Sequence, residues 1–241
     1  MDTTDLGRHL TLHPSFRVCG LFDEEVKGWD GSMQSVYSDH YKEDGITLVG
    51  VYSAVSLLAA ALPGVGAAHR KLAEQMPHLA AFGGMVHDDG GGRVHRWLSR
   101  EPLITYGMSN RDRGRMWKAI HILGTMAFRA GARQVMLPLF GAGPFEKERD
   151  LAFLLERPPA ATRVECMSFH PLGSAKMSRA PGSGVVKPTG EAWAADNLFV
   201  ADGSVLPTSI GVNSQLPVMT MALRIARGLR DDWSKYARRA S

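Results

Sequence analysis

The stretch that decides the fold is NLFVADGSVLPTSIGVNSQLPVMTMALRIARGL, Asn197 to Leu229. It opens on a short apolar run, Leu198 to Ala201, that predicts a strand. Asp202-Gly203-Ser204 then supplies turn chemistry, and Gly211-Val212-Asn213 a loop. Pro217 suits the first turn of a helix. In the helix that follows, Val218, Met221, Ala222, Ile225 and Leu229 fall on one face, while Arg224 and Arg227 point elsewhere. Strand, turn, loop and helix therefore follow one another within one short segment.

A second stretch, CMSFHPLGSAKM from Cys166 to Met177, sets His170 beside Pro171 and follows them with small residues. That composition suits neither a helix nor a strand. Read singly, a histidine before proline is a loop residue, Asp202 caps a turn, and Asn213 after a glycine occupies a left-handed turn position. Taken one at a time, these residues leave the plain alternatives open.

The rest of the chain mixes both kinds of element. FRVCGLF (Phe16 to Phe22) and DGITLVGVY (Asp44 to Tyr52) read as strands. AFGGMVHD and RVHRWL flank DDGGG and predict a hairpin whose glycines take positive φ. Asp112 to Ala130 places Met116, Ile120, Leu123 and Ala127 at helical spacing, with Gly131 as its stop. RQVMLPLFGAG follows as a strand and a bend, and EKERDLAFLLERPP as a short charged helix or loop. No internal repeat or low-complexity linker is present.

At 241 residues and 44% hydrophobic composition the chain can bury a sizeable core. Lys and Arg number 28 against 24 Asp and Glu, scattered except in the tail DDWSKYARRAS. A solvated helix end explains that tail, so no nucleic acid partner is expected. The uncharged run from Ile46 to Ala68 is broken by Pro63 and Gly64, which predicts a buried strand and a buried helix and no transmembrane span. Cys19 and Cys166 stand far apart and read as buried thiols of a reducing compartment, the cytoplasm, without a disulfide or a zinc site. The N-terminus carries no secretory h-region. His9 and His13 lie four residues apart, but Pro14 follows at once, so no metal pair is expected. His87, His95 and His121 read as surface positions. GVGAAH lacks the strand, spacing and helix of a dinucleotide turn, and no nucleophile elbow of the G-x-S-x-G kind occurs.

In order and separation, FHPLGSAKM, GVV and NLFVADGSVLPTSIGVNSQLPVMTMALRIA resemble the C-terminal signature of the glucose–methanol–choline (GMC) family of FAD-dependent oxidoreductases. GRHLTLHPSFRVCGLFDEEVKGWDGSMQSVYSD resembles the family's middle region, so the resemblance covers nearly the whole chain. It implies that His170 sits over the reactive edge of the flavin and accepts the alcohol proton, a task that suits imidazole because it titrates near neutrality. Asn213 takes the second catalytic position and orients the substrate oxygen, since an amide is no base at neutral pH. Asp202 and Gly203 fall near the ribityl and pyrophosphate part of FAD. Backbone N–H groups of Ser214 and Gln215, at the start of the helix, face the flavin N1/C2 region. No metal is implied. Two departures stand out: Gly173-Ser174-Ala175 lacks the cysteine many members carry, and Lys187 replaces the usual aspartate after GVV.

The implied fold is α+β, a mostly antiparallel sheet with packed helices. Residues 19–195 form the substrate-binding domain with the catalytic His loop. Residues 1–18 are a remnant of the FAD-binding domain, and residues 196–241 its C-terminal strand-loop-helix segment. The G-x-G-x-x-G module of the family is not in the sequence, which implies a missing FAD-binding module or partner chain and a 241-residue chain that is inactive and holds no FAD by itself. The implied activity is oxidation of the CH–OH group of a lipophilic, long-chain or sterol-like alcohol by proton abstraction and hydride transfer. The competing readings are a non-catalytic fragment that binds no flavin and a soluble binding module.

Overall fold

Strand β1, Ser15–Leu21, is the hub of a five-stranded sheet. Its neighbours are β4, Leu79–Val86, on one side and β7, Gln134–Met136, on the other. Beyond β4 come β3, Ile46–Val51, and the two-residue β2, Tyr37–Ser38, and every pairing is antiparallel. This is a computed structural model, and it describes residues 5–32, 34–51, 54–60, 62–98 and 100–237. The chain forms two compact units, one of residues 14–86 and 111–167, the other of residues 1–13, 87–110 and 168–241.

The first unit holds the sheet. Alternation along β1 sends Phe16, Val18 and Gly20 to one face and Cys19 and Leu21 to the other. Helix α3, Asn110–Arg129, covers the first face. A side chain at Gly20 would meet Ala127 and Ala132, and one at Gly84 would meet Phe16 and Leu123, so both strand positions admit the helix only as glycine. Met116, Ile120, Leu123 and Ala127 are buried on α3, as their spacing predicts. Gly131 (φ 99) closes the helix while the N–H of Ala132 reaches the carbonyl of Ala127 at 3.0 Å. The fully buried Asp112 takes a 3.0 Å hydrogen bond from Arg115, whose Nε also donates to the carbonyl of Asp44.

On the opposite face Cys19, Leu21, Leu58, Leu62, Met76, Leu79, Ala81 and Met136 form a second apolar cluster. Two short helices connect β3 to β4: α1, Val55–Ala60, and α2, Gly66–Ala73. The helix expected to be buried is so only in part: Val55 and Ser56 face solvent, and in the described part of α1 Leu58 alone is buried, packed in this cluster. A cavity of about 460 Å³ lies beside this cluster, lined by Leu62, Met136 and Phe140 with Arg17 and Glu165. Past β7 the charged segment forms a 3-10 turn, Glu148–Leu151, and a single α turn, α4, Phe153–Glu156.

In the second unit a two-stranded hairpin pairs β5, Arg93–His95, with β6, Leu103–Thr105. The expected hairpin of β4 with β5 does not form. Gly90 and Gly91 take the positive φ foreseen for them (82 and 106), but Gly92 bridges Leu10, and β5 pairs with β6. Helices α5, Gln215–Asp231, and α6, Trp233–Ala237, close the chain. Ile225 of α5 is buried with Val186 and Val205, and Met177, Phe199 and Met221 pack around them. The strand predicted over Leu198–Ala201 is reduced to one bridge, Phe199 to Glu191, since its side chains anchor the α5 core instead of extending a sheet. Lys187 forms a 2.7 Å ion pair with the buried Glu191 and lies 5.6 Å from the Trp193 ring centre.

The His170 loop belongs to the unit of the C-terminal segment, so these units divide the chain elsewhere than at 18/19 and 195/196. Both cysteines are free thiols. Cys19 is buried as expected, whereas Cys166 is exposed, between Val164 and Met167, which bridge Leu139 and Ser15. Its sulfur still leans on Met116 Sδ at 3.8 Å, and desolvation pushes the thiol up to about 11. Among the described residues no helix is long and apolar enough to cross a membrane.

Candidate active site

The candidate site residues His170, Asp202, Gly203, Asn213, Ser214 and Gln215 lie in the second unit. Proline and glycine keep the His170 segment from regular structure, so neighbouring strands of chain must hold it. On one side Thr11 and Leu172 exchange two backbone hydrogen bonds of 3.0 Å. On the other, Ala175 and Met177 donate to the carbonyls of Ser204 and Val205 at 3.0 and 2.9 Å. The Ser168 hydroxyl donates to the carbonyl of Leu12. Gly173 takes φ 84, where a β-carbon would run into the His9 carbonyl.

Asp202 and Gly203 serve this strapping. The Asp202 carboxylate accepts from the Ser204 N–H at 2.8 Å and from its hydroxyl at 2.5 Å, which caps the 3-10 turn Gly203–Val205. The turn-capping reading of Asp202 is therefore realised. A β-carbon on Gly203 would come 3.0 Å from Leu172 and 3.2 Å from the Pro171 carbonyl, so glycine lets the turn close on the His170 loop.

The left-handed position in the next loop is Gly211 (φ 70). Asn213 follows two residues later, is exposed, and precedes the N-cap of α5. Ser214 occupies the N-cap, is buried, and makes no capping hydrogen bond with its side chain; Gln215 is the first helical residue and is exposed. The first turn carries no acidic residue. The leading N–H groups of α5, with the positive end of its dipole, thus have no side-chain cap from Ser214.

His170 itself is half-buried, and desolvation lowers it below the ordinary histidine value. Its Nδ1 is shielded from solvent and has no hydrogen-bond partner. Leaving such a group unsatisfied costs about 1–3 kcal/mol, and structures tolerate that where the group has another task.

Sequence reading missed three residues around this loop. His13, fully buried at φ 48, accepts the N–H groups of Ile210 and Gly211 on Nε2 at 3.0 and 2.9 Å, while its Nδ1 lies 3.5 Å from the His170 carbonyl. Asp88, also buried, accepts from the N–H groups of Leu12 and His13 at 3.1 Å each and from the Tyr106 hydroxyl at 2.8 Å. His87 Nε2 lies 3.0 Å from the Ser209 carbonyl. The available signal was the repeated pairing of histidine with a backbone breaker or an acid, His13-Pro14 and His87-Asp88; a single sequence gives no reason to join them. A small cavity of about 290 Å³ adjoins, lined by His87, Asp88, Thr11 and Ser209. His9 contacts Asp5 at 3.6 Å, and among the described residues no group of three or more acids, histidines or cysteines is placed to hold a metal.

The family profile described as GMC oxidoreductase matches residues 98–222. An uncharacterized GMC-type oxidoreductase of Mycobacterium tuberculosis is 32% identical over 92% of this chain and 35% of its own length. The chain belongs to the GMC oxidoreductase family. A long-chain-alcohol oxidase of Arabidopsis thaliana is 25% identical over 96% of the chain and 34% of its own length. The fold matches an Aspergillus oryzae formate oxidase, solved to follow modification of its FAD, with a TM-score of 0.65 at 15% identity over 98% of this chain and 49% of that one. The chain spans about a third of the length of the two sequence relatives named here. The GMC profile takes in His170, Asp202 and Asn213, and the α+β fold with an antiparallel sheet is that of GMC flavoenzymes.

Proposed function

We propose that this chain carries the catalytic loop and substrate-facing part of an FAD-dependent oxidoreductase that acts on a lipophilic alcohol. The observation that carries the reading is His170, a desolvated imidazole with an unclaimed Nδ1, held in a strapped loop of a GMC oxidoreductase chain. Fit to FAD is supported by the start of α5, where Ser214 makes no side-chain cap and the first turn carries no acid, which suits a flavin carbonyl that gains negative charge. Ser214 and Gln215 provide the backbone N–H donors, with Asp202 and Gly203 toward the ribityl and pyrophosphate part. Bound there, FAD supplies the acceptor for the hydride that leaves the carbinol carbon.

The chain's own residues do the rest. With the ring proton on Nδ1, His170 presents Nε2 as a base and takes the alcohol O–H proton there. Because desolvation lowers its affinity for protons, the ring stands unprotonated at neutral pH, ready to accept. Asn213 hydrogen-bonds the substrate oxygen and orients it. The unit of residues 14–86 and 111–167 serves as the substrate domain. The long-chain-alcohol oxidase relatives support a lipophilic substrate. Leu216, Met219 and Leu223 form an exposed apolar stripe on α5, a surface for the nucleotide-binding part of the enzyme to cover.

The test is anaerobic flavin reduction in the flavin-loaded enzyme, with alcohols of graded chain length. We expect His170→Ala to slow reduction by roughly 10²- to 10⁴-fold, the usual worth of a general base, while flavin stays bound. Reduction by His170→Ala at the wild-type rate would show that the His-Pro loop is structural. A rate indifferent to chain length would remove the lipophilic assignment.

A further inference from the structure

We propose that His13 is the positioning residue of this site: carrying its proton on Nδ1, it pins the Ile210–Gly211 turn to the backbone of His170 and so sets where Asn213 stands relative to the His170 ring. Two backbone N–H groups, of Ile210 at 3.0 Å and Gly211 at 2.9 Å, point at one ring nitrogen, Nε2. A nitrogen that bears a proton cannot accept either. The proton therefore belongs to Nδ1, which lies 3.5 Å from the His170 carbonyl, a long contact.

The same turn is gripped from a second side with the opposite polarity. His87 Nε2 lies 3.0 Å from the Ser209 carbonyl, which can only accept, so His87 carries its proton on Nε2. Its ring also lies against Gly211, where a β-carbon would come 3.1 Å from Nδ1. Residues 209–211 are thus held by two histidines of opposite tautomer, and Asn213 is the second residue past that grip.

His13 is itself costly to place. Its φ of 48 is a left-handed value that a side chain rarely adopts, and its ring is fully buried. Asp88 offsets the strain by taking the N–H groups of Leu12 and His13 together, one on each carboxylate oxygen, with the Tyr106 hydroxyl also on Oδ2. Strain held by so many bonds is characteristic of functional sites. The charged or titratable groups facing the His13 ring are Asp88, His87 and His170, and burial outweighs the pull of the His170 carbonyl and of Asp88, so that His13 resists protonation.

The inference rests on the assignment of His170 and Asn213 only in its kinetic arm; the clamp itself is read without turnover. In the ¹⁵N-labelled 241-residue chain, long-range correlations of the His13 ring should show Nε2 bare and Nδ1 protonated. Couplings across the hydrogen bonds should link Nε2 to the amide nitrogens of Ile210 and Gly211. Acidification that protonates His13 should abolish those couplings and shift both amides in step. A proton on Nε2, or a His13 titration that leaves Ile210 and Gly211 unmoved, overturns the clamp. His13→Gln, whose carbonyl can reach the same acceptor position, should keep both amides protected, and His13→Phe should speed their exchange about tenfold, the loss expected when a hydrogen bond is removed. In the flavin-loaded enzyme His13→Gln should reduce flavin faster than His13→Phe; equal rates in the two overturn the positioning role. If the couplings are present but His170→Ala reduces flavin normally, the catalytic reading fails and the clamp stands.

Discussion

The rings of His13 and His170 meet edge to face, with 5.6 Å between centroids and 89° between planes. Both are lowered below the ordinary histidine value, each chiefly by desolvation. Each ring is thus better accommodated uncharged in the folded chain than in the unfolded one, where histidine titrates at about 6.5. Their contribution to stability is complete above that value and is lost as pH falls through the lower folded values, because the unfolded chain takes up protons first. Urea midpoints should be level near neutral pH and fall below about pH 6.5. His13→Gln should flatten part of that slope, and an unchanged slope would count against the buried ring as its source.

The same sign governs the proposed base. Flavin reduction should rise with pH through an apparent pKa below the ordinary histidine value and be level at neutral pH. A pH–rate profile that still climbs above pH 7 would point to a base other than His170.

Asn213→Ala should slow flavin reduction less than His170→Ala, since it removes one orienting hydrogen bond and leaves the base in place. Single-turnover rates of the two variants provide the comparison. A larger loss in Asn213→Ala would transfer the principal role to the amide.

Gly173→Ala should destabilise the second unit by more than about 2 kcal/mol, combining a left-handed backbone with a collision against the His9 carbonyl. Loss of amide protection at Leu172 and Ala175, the anchors of the His170 loop, should accompany it. Wild-type protection at both would show that the loop adjusts without strain.

Lys187→Ala leaves the Glu191 carboxylate, only 2% exposed, without its cation and should cost about 1–3 kcal/mol. Adding Glu191→Gln should restore part of that loss, because a neutral amide is cheaper to bury than an unpaired charge. Chemical denaturation of the single and double variants measures it; a double variant weaker than the sum of its parts would reject the pairing.

What the sequence by itself determined was local and ordered along the chain. The 3.6-residue spacing of Met116, Ile120, Leu123 and Ala127 specifies a helix with one apolar face, and the same rule picks out Ile225 on α5. The order of FHPLGSAKM, the DGS turn and the GVNSQLP loop was enough to place the chain in its family. What only the tertiary structure decided was which distant segments meet. Gly92 bridges Leu10 and thereby prevents the hairpin that the DDGGG turn suggested, a choice between partners that lie far apart in the chain. Phe199 is drawn into the α5 core, so its strand shrinks to a bridge. His87 is exposed, as its sequence reading expects, and His13 is buried; both reach one turn more than 120 residues away along the chain, which the sequence does not signal. Spacing encodes the face of an element because backbone geometry is periodic. It cannot encode the partner of a single buried imidazole, since that depends on where two irregular loops are brought together by everything else that packs.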